Sequence, residues 1–486
     1  MTKSSADGRF LGSGVRAARA IVIGGSITGL LAARALTEHF SSVSLIERDS
    51  FPDGPDFRKG LPQMRHVHVL LKQGERVMEH YFPELLPELI AGGAHLIDMG
   101  GDLRWFNFGN WKTRFQSGVD FFCQTRGFLE WKIRQRVASL DGVSILDNCE
   151  VLGYTLDANG RVSGVKIRRA GETADDKLEA ELVVDASGRG SRTPQWLDSL
   201  GFGKPTETEV RVDVGYASRF YRRPEKAPGD WSGLMIYPKP PGTRLGVLFP
   251  VEDNRWMVTL VGWFGDHPPT DEHGFREFAA SLPVPDLFDA IRDAEPVSPI
   301  ASHKFPSNRR RHYERMQRFP EGLVVLGDAL CSFNPIYGQG MTTGALGVRL
   351  LDDSLRERLQ NGGSASGAGF SRGFQRKIAR VIDSPWLLTT TEDFRSPRTV
   401  GRRAWSSATL GWYTARIHRL TWSDRFTARR FLEVMHLTVR PIALFHPYIV
   451  FRALTQGLTR PKVAVVARET DGREPTFSEK RQGESR

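Results

Sequence analysis

The chain has 486 residues, 40% of them hydrophobic and 25% charged, so it exceeds one usual domain and can bury a substantial core in two intertwined domains. Its net charge of +11 raises nucleic acid as a partner, but the arginines are dispersed and no nucleic-acid module is visible, which argues against DNA or RNA. Cys123, Cys149 and Cys331 are scattered, without CxxC spacing or histidine companions, which excludes a disulfide framework, points away from zinc and suits a reducing cytoplasm.

The first nineteen residues lack a long apolar core and read as a loose basic leader, with no secretory signal. Ala20 to Leu36, AIVIGGSITGLLAARAL, then carries a strand into Gly24 and Gly25, and Gly29 opens a helix. This is close to the dinucleotide fingerprint G-x-G-x-x-G, with Ser26 at the central glycine. Serine fits there if its φ stays negative. Val43 to Ile46 form a second strand, and Glu47 follows it twenty-three residues after Gly24, where an acid meets ribose hydroxyls; Arg48 is next to it.

His66 and His68 alternate in MRHVHVL and lack a metal-like partner set, so hydrogen-bonded packing outweighs a proton-transfer role. Leu129, Ile133, Val137 and Leu140 define one face of a helix whose amino end carries Arg126. The helix dipole disfavours a cation there, so an anionic partner is expected. Glu181 to Val184 form a third strand ending in DASGRGSR, which crowds Asp185, Gly188, Arg189 and Gly190 at its carboxyl end. Such ends converge on one ligand crevice in an open α/β sheet.

From Val210 to Phe264 short alternating segments separated by Pro and Gly turns predict an antiparallel sheet. It forms a second layer that leaves a cavity suited to a bulky apolar substrate, with Tyr216, Tyr237, Phe249 and Trp263 as candidates to line it, although ordinary core packing is the commoner fate of any one of them. The tightest basic cluster, Asn308 to Met316, reads as a solvated or structurally paired face.

Gly322 to Met341, GLVVLGDALCSFNPIYGQGM, is the densest stretch. Leu323 to Leu326 read as a buried strand, Asp328 stands at its carboxyl end, and Pro335 fixes a bend. Gly338 and Gly340 remove two β-carbons where a flat ring would lie, before a helix expected near Thr342 whose positive end favours negative charge. Beyond Val400 the pattern is helical, and Met435 to Leu454 is apolar and basic together, interrupted by Arg440, Pro441, His446, Pro447 and Arg452. It is too broken to span a bilayer, which leaves packing on the sheet or peripheral membrane contact through 401–460.

GGSITGL, the Glu47 site, DASGRGSR and GDALCSFNPIYGQGM together resemble the flavoprotein monooxygenases of the p-hydroxybenzoate hydroxylase type, over roughly residues 18 to 360. RKGLPQMRHVHVLL at Arg58 to Leu71 and VLFPVEDNRWMVTLVG at Val247 to Gly262 look closer to the flavin epoxidases of polyether and polyene biosynthesis. The resemblance implies a Rossmann-like α/β domain that binds FAD in three parts, 18–110, 111–200 and 319–395, interleaved with an antiparallel-sheet substrate domain over 201–318. A helical region follows at 396–468, with disordered tails at 1–17 and 469–486.

By the same resemblance Gly24, Gly25, Ser26, Gly29, Glu47 and Arg48 serve the adenosine half. Arg126 meets the pyrophosphate, Asp185 and Gly188 belong to the second strand end, and Asp328 holds the ribityl or ribose region. Pro335, Gly338, Gln339, Gly340 and Met341 flank the isoalloxazine, with Arg58, Lys59 and Gln124 nearby. The implied activity is hydroxylation or epoxidation of a hydrophobic polyketide, terpenoid or aromatic by O2, through a flavin C4a-hydroperoxide and with no assigned catalytic side chain. NADH or NADPH is the expected donor, directly or through a separate flavin reductase. The alternative is a reductase of the geranylgeranyl reductase kind, which inserts no oxygen. No WxWxIP segment of the halogenase type is present.

Overall fold

A computed structural model describes residues 19–225, 229–239, 241–364, 367–404 and 407–456. The leader and both tails expected to be disordered lie outside these residues, as does the end of the 396–468 region.

A five-stranded parallel sheet runs in the order Leu323–Val325, Leu182–Asp185, Ala20–Ile23, Val43–Ile46, Val143–Leu146. All residues of its first four strands are buried, as continuous apolar runs in a parallel sheet require. The helix Ile27–Leu36 packs against the helices Gln339–Gln360 and Arg126–Ala138, so the glycine turn, the Arg126 helix and the stretch Gly322 to Met341 share one core. That middle helix stops at Ala138. Leu140 therefore falls in the following turn and is not the fourth residue of its apolar face.

The second layer is a nine-stranded sheet in which Glu207–Arg222, Arg255–Trp263, Arg244–Val251 and Gly233–Ile236 are neighbours, paired antiparallel. Its strands alternate cleanly. Tyr216, Met235, Val247, Phe249 and Val261 belong to one apolar cluster. Their neighbours Ala217, Leu234, Ile236, Leu248 and Leu260 belong to another, with Phe275 and Phe278 of the helix Glu272–Ala280. Successive side chains on a strand point to opposite faces, so a chain apolar at nearly every position must be covered twice. Helices cover one face. On the other pack Val67, Val69 and Ile336 from outside the sheet.

The two layers are laced together across the expected boundaries. Leu103–Asn107, inside the 18–110 segment, pairs in parallel with Gly233–Ile236. Cys331–Ser332, inside the 319–395 segment, pairs with Arg309 and Arg310 at the other edge. A three-stranded antiparallel sheet, Cys149–Leu156, Val162–Arg169 and Asp176–Glu179, was not foreseen. The basic cluster is structurally paired: Arg310 meets Asp383 at 2.8 Å, and Arg311 meets Glu207 at 2.9 Å.

The remaining wall is helical. Phe370–Asp393 runs beside Gln339–Gln360, and Ser407–Leu420, Arg425–Met435 and Pro447–Thr455 follow. No helix among the described residues is long and apolar enough to cross a membrane. All three cysteines are free and buried.

Candidate active site

The carboxyl ends of Ala20–Ile23, Leu182–Asp185 and Leu323–Val325, adjacent in the parallel sheet, open into a crevice of about 380 Å³. Gly24 sits there at φ +102°, and a β-carbon on it would stand 2.5 Å from the Ala186 carbonyl oxygen. Only glycine takes that turn without strain. Ser26 is the N-cap of the first helix at φ −96°, the negative value that its residue type needs. Gly29 lies below the turn, where an added β-carbon would meet the Gly24 carbonyl oxygen at 1.7 Å. Two of the fingerprint positions thus shape backbone, and the serine places a hydroxyl in the crevice.

Charge is arranged around that hydroxyl. Arg126 Nη2 donates to Ser26 Oγ at 2.7 Å, and Ser26 Oγ donates to Glu130 Oε2 at 2.8 Å. Arg126 is the first residue of its helix, as expected, and it lines the crevice. Burial and the nearby Arg58 lower its pKa, while Glu130 opposes them. Its Nε is buried without a partner.

Glu47 and Arg48 also line the crevice. One Glu47 oxygen accepts from the Gly25 N–H at 2.8 Å, so Gly25 is tied to the acid and does not line the cavity itself. Arg58 pairs with two glutamates. It is buried beneath the turn, at 3.0 Å from Glu47 and 2.9 Å from Glu130, and does not reach the crevice. Lys59 points to solvent. Gln124 is buried outside the lining, with its Oε1 unpartnered.

Asp185 is bonded within its own loop. It is fully buried, and its carboxylate accepts from the Ser187 N–H at 2.9 Å and from the Ser191 and Thr193 hydroxyls at 2.6 Å each. A strand-end carboxylate is spent here on holding the DASGRGSR loop. Gly188 and Arg189 of that loop do line the crevice.

The stretch Gly322 to Met341 matches its expected layout more closely. Asp328 follows the Leu323–Val325 strand and faces the crevice; burial pushes its carboxyl up, against the pull of Arg126 and Arg189. The long helix begins at Gln339, three residues before the expected Thr342, and Gly338 caps it at φ +65°. The earlier start puts Gly340 inside the first turn, with the site of its missing β-carbon 3.6 Å from Asp328 Oδ1. Pro335, Gly338, Gly340 and Met341 line the crevice.

His66 and His68 lie at the same wall. Burial, with His303, His68 and Arg65 adding to it, lowers His66 to about 3. His68 falls to about 4, by burial and Arg126. His66 Nδ1 bonds the Ser218 hydroxyl at 2.8 Å and His68 Nδ1 bonds the His66 carbonyl at 2.9 Å, while His66 Nε2 is buried without a partner. His303, Gln63, Glu150 and Trp196 also line the crevice and had no spacing to reveal them.

A second cavity of about 420 Å³ adjoins the first, and Val69, Tyr216, Pro335 and Gly338 line both. All four expected aromatic residues, Tyr216, Tyr237, Phe249 and Trp263, face it, as does Gln339. The sheet supplies its apolar face here because alternation leaves Tyr216, Val247, Phe249 and Val261 on that side. Polar groups come from elsewhere in the chain. Glu392, Arg395 and His418 line the same cavity, with Arg395 Nε bonded to Glu392 at 2.6 Å. The i,i+3 spacing of Glu392 and Arg395 was the available signal for that pair.

FAD fits these residues. A glycine turn meets a helix N-terminus, an arginine with an unpartnered Nε stands where a pyrophosphate is favoured, and Asp328 faces the same space as an acceptor for sugar hydroxyls. The fold is that of the p-hydroxybenzoate hydroxylase type, with a site built to bind FAD. Residues 17–368 match the family described as FAD binding domain, and the chain belongs to that family. It is 33% identical over 383 residues to "Protein Rv3254" of Mycobacterium tuberculosis, covering 77% of this chain and 80% of the relative.

Among solved structures, PqsL, a probable FAD-dependent monooxygenase from Pseudomonas aeruginosa, aligns with a TM-score of 0.57 at 16% identity over 78% of this chain and 97% of its own. The flavin-dependent brominase Bmp2 aligns with a TM-score of 0.63 at 12% identity over 90% and 98%. Both likenesses are of fold.

Proposed function

We propose that this protein inserts one atom of O2 into an apolar small molecule, by hydroxylation or epoxidation of a polyketide, terpenoid or aromatic compound. The observation that carries the reading is the shared wall of the two cavities, where Val69, Tyr216, Pro335 and Gly338 face the crevice and the apolar chamber together. Electrons come from NADH or NADPH, directly or through a separate reductase. Because an apolar substrate partitions into lipid, the reading extends to peripheral contact of 401–460 with a membrane.

When bound, FAD supplies the reduction and activation of oxygen, chemistry that no side chain offers. The chain's own residues bind and exclude. Gly24, Ser26 and Arg126 form the pyrophosphate end, Asp328 accepts from sugar hydroxyls, and Gly338 with Gly340 leaves the ring's place free of β-carbons. The amino end of the Gln339–Gln360 helix favours negative charge at the ring, and the apolar wall of Tyr216, Phe249 and Val261 keeps water from the reacting atoms. Glu392, Arg395 and His418 orient whatever polar group the substrate carries.

The test is turnover of candidate apolar natural products under 18O2 with NADH, NADPH or an added reductase. Incorporation of one labelled oxygen per product supports the reading. Equal product under strict anaerobiosis overturns it in favour of a reductase of the geranylgeranyl reductase kind.

A further inference from the structure

The region Ser407–Thr455 buries one side and leaves the other bare. Leu444, Ile449 and Ala453 pack inward, while Ile442, Phe445, Tyr448, Phe451 and Leu454 recur every third residue on the outside. Ile442 is 70% exposed, Phe451 64% and Leu454 61%. This spacing makes a single apolar ridge along consecutive helical turns. Phe426 joins it from the neighbouring helix, 5.3 Å from the Tyr448 ring.

The ridge runs into the substrate chamber. Pro441, Leu444 and Phe445 line that cavity while Phe445 remains 45% exposed, and Phe445 stacks on Tyr413 at 4.9 Å, another lining residue. Leu387, also exposed, lines the cavity from the Phe370–Asp393 helix. The apolar interior and the apolar exterior are therefore one continuous surface.

Charge decides what covers it. Residues 407–456 contain seven arginines against Asp424 and Glu433. Cations sit beside the exposed rings: Arg416 over Trp412 at 4.0 Å, Arg430 over Phe426 and Arg452 over Tyr448 at 5.7 Å each. Among the described residues Arg419, Arg425 and Arg440 have no carboxylate partner, and all three are exposed. A second copy of this chain, itself at +11, would bring like charges together. Long basic side chains flanking an apolar ridge suit a surface with a negative plane above an apolar layer.

We propose that the ridge Ile442, Phe445, Tyr448, Phe451 and Leu454 docks on an anionic lipid bilayer and sets the mouth of the substrate chamber against the acyl layer, so that the apolar substrate enters from lipid. The entry route rests on the apolar-substrate reading above, whereas the docking is read by lipid partition alone and stands or falls separately.

The experiment is flotation of the full-length FAD-loaded protein with vesicles of phosphatidylcholine, alone or mixed with phosphatidylglycerol. The wild type floats with the mixed vesicles and less with the neutral ones, and salt weakens it. The double variant Phe451→Glu, Leu454→Glu keeps its flavin and loses roughly tenfold or more in partition, because charged groups replace two buried anchors. Arg440→Glu loses binding to the anionic vesicles selectively. Should the double variant not fold, brominated-lipid quenching of wild-type fluorescence, lost in Trp412→Phe, reports the same contact. Wild type that stays at the bottom with anionic vesicles, or a folded double variant that floats as well as wild type, overturns the proposal. So does flotation that arises only after removal of residues 457–486, which would make the chain's own C-terminal segment the occupant. Concentration-dependent dimers without vesicle binding would assign the ridge to a second copy instead.

Discussion

Arg126 reaches across from one helix N-terminus to another and donates to the Ser26 hydroxyl at 2.7 Å. Ser26 occupies the place of the fingerprint's central glycine, where backbone alone would otherwise meet the pyrophosphate. Here a hydroxyl and a guanidinium stand together at that place, with Glu130 accepting from the hydroxyl at 2.8 Å. The departure from the glycine motif and the arginine over a helix dipole thus explain each other.

Arg126→Ala weakens FAD retention. Losing a charge-assisted contact costs about 1.5–3 kcal/mol, or roughly tenfold to a hundredfold in affinity. The ratio of flavin to protein absorbance after gel filtration measures it, and unchanged stoichiometry would sink the assignment. Ser26→Gly restores the motif but leaves Arg126 with Glu130 alone, 3.4 Å away, so it does not improve binding.

Asp328→Ala yields a folded protein with weakened flavin binding. The side chain faces the crevice and anchors no backbone, so circular dichroism and thermal midpoint stay close to wild type. Titration with FAD shows the loss, roughly 1–3 kcal/mol for a sugar hydroxyl contact to a charged acceptor. Asp328→Asn retains part of it.

Asp185→Ala behaves in the opposite sense. Its carboxylate satisfies the Ser187 N–H and the Ser191 and Thr193 hydroxyls, and removal leaves the buried Ser191 hydroxyl without that acceptor and the loop without its anchor. Stability falls by about 3 kcal/mol in urea. Molecules that remain folded in the cold still take up stoichiometric flavin.

Acid destabilises the protein through buried neutral histidines. His436 is lowered to about 3 by burial, with Lys72 adding, and His418 to about 4 by burial, against Glu392. An unfolded histidine takes its proton near pH 6.5. Their contribution is complete above that value and is lost as pH falls from about 6.5 towards 4. Asp393 opposes this, since burial raises it to about 6 and its contribution is lost as pH rises through that value. Urea midpoints from pH 7 to 4.5 therefore fall, more shallowly in His436→Gln and more steeply in Asp393→Asn. A flat profile in the wild type contradicts the assignment.

Much of the architecture was legible in local patterns. Short, largely apolar runs ending in glycine or an acid marked four of the five parallel strands, Val143–Leu146 being the one missed, and Pro and Gly punctuation with period-two alternation marked the antiparallel sheet. The three-stranded sheet at 149–179 escaped because Val162–Arg169 and Asp176–Glu179 carry exposed charge, which resembles loop composition. Asp185 and Asp328 read alike in sequence, each an acid closing an apolar strand. One turned out to be enclosed by its own loop and the other to face the crevice, and that difference lies in how the following residues fold back.

What the sequence by itself determined is the cofactor class, since glycine turns, strand ends and an acid at set spacing are local requirements of one bound dinucleotide. Only the tertiary structure decided that Arg58 lies beneath the glycine turn between Glu47 and Glu130, and that Glu392, Arg395 and His418 enter an otherwise apolar chamber. It also joined that chamber to the exposed ridge at 442–454. These juxtapositions link residues tens to hundreds of positions apart. No periodicity encodes them, because they arise when two layers, laced by strands from both halves of the chain, close against a helical wall.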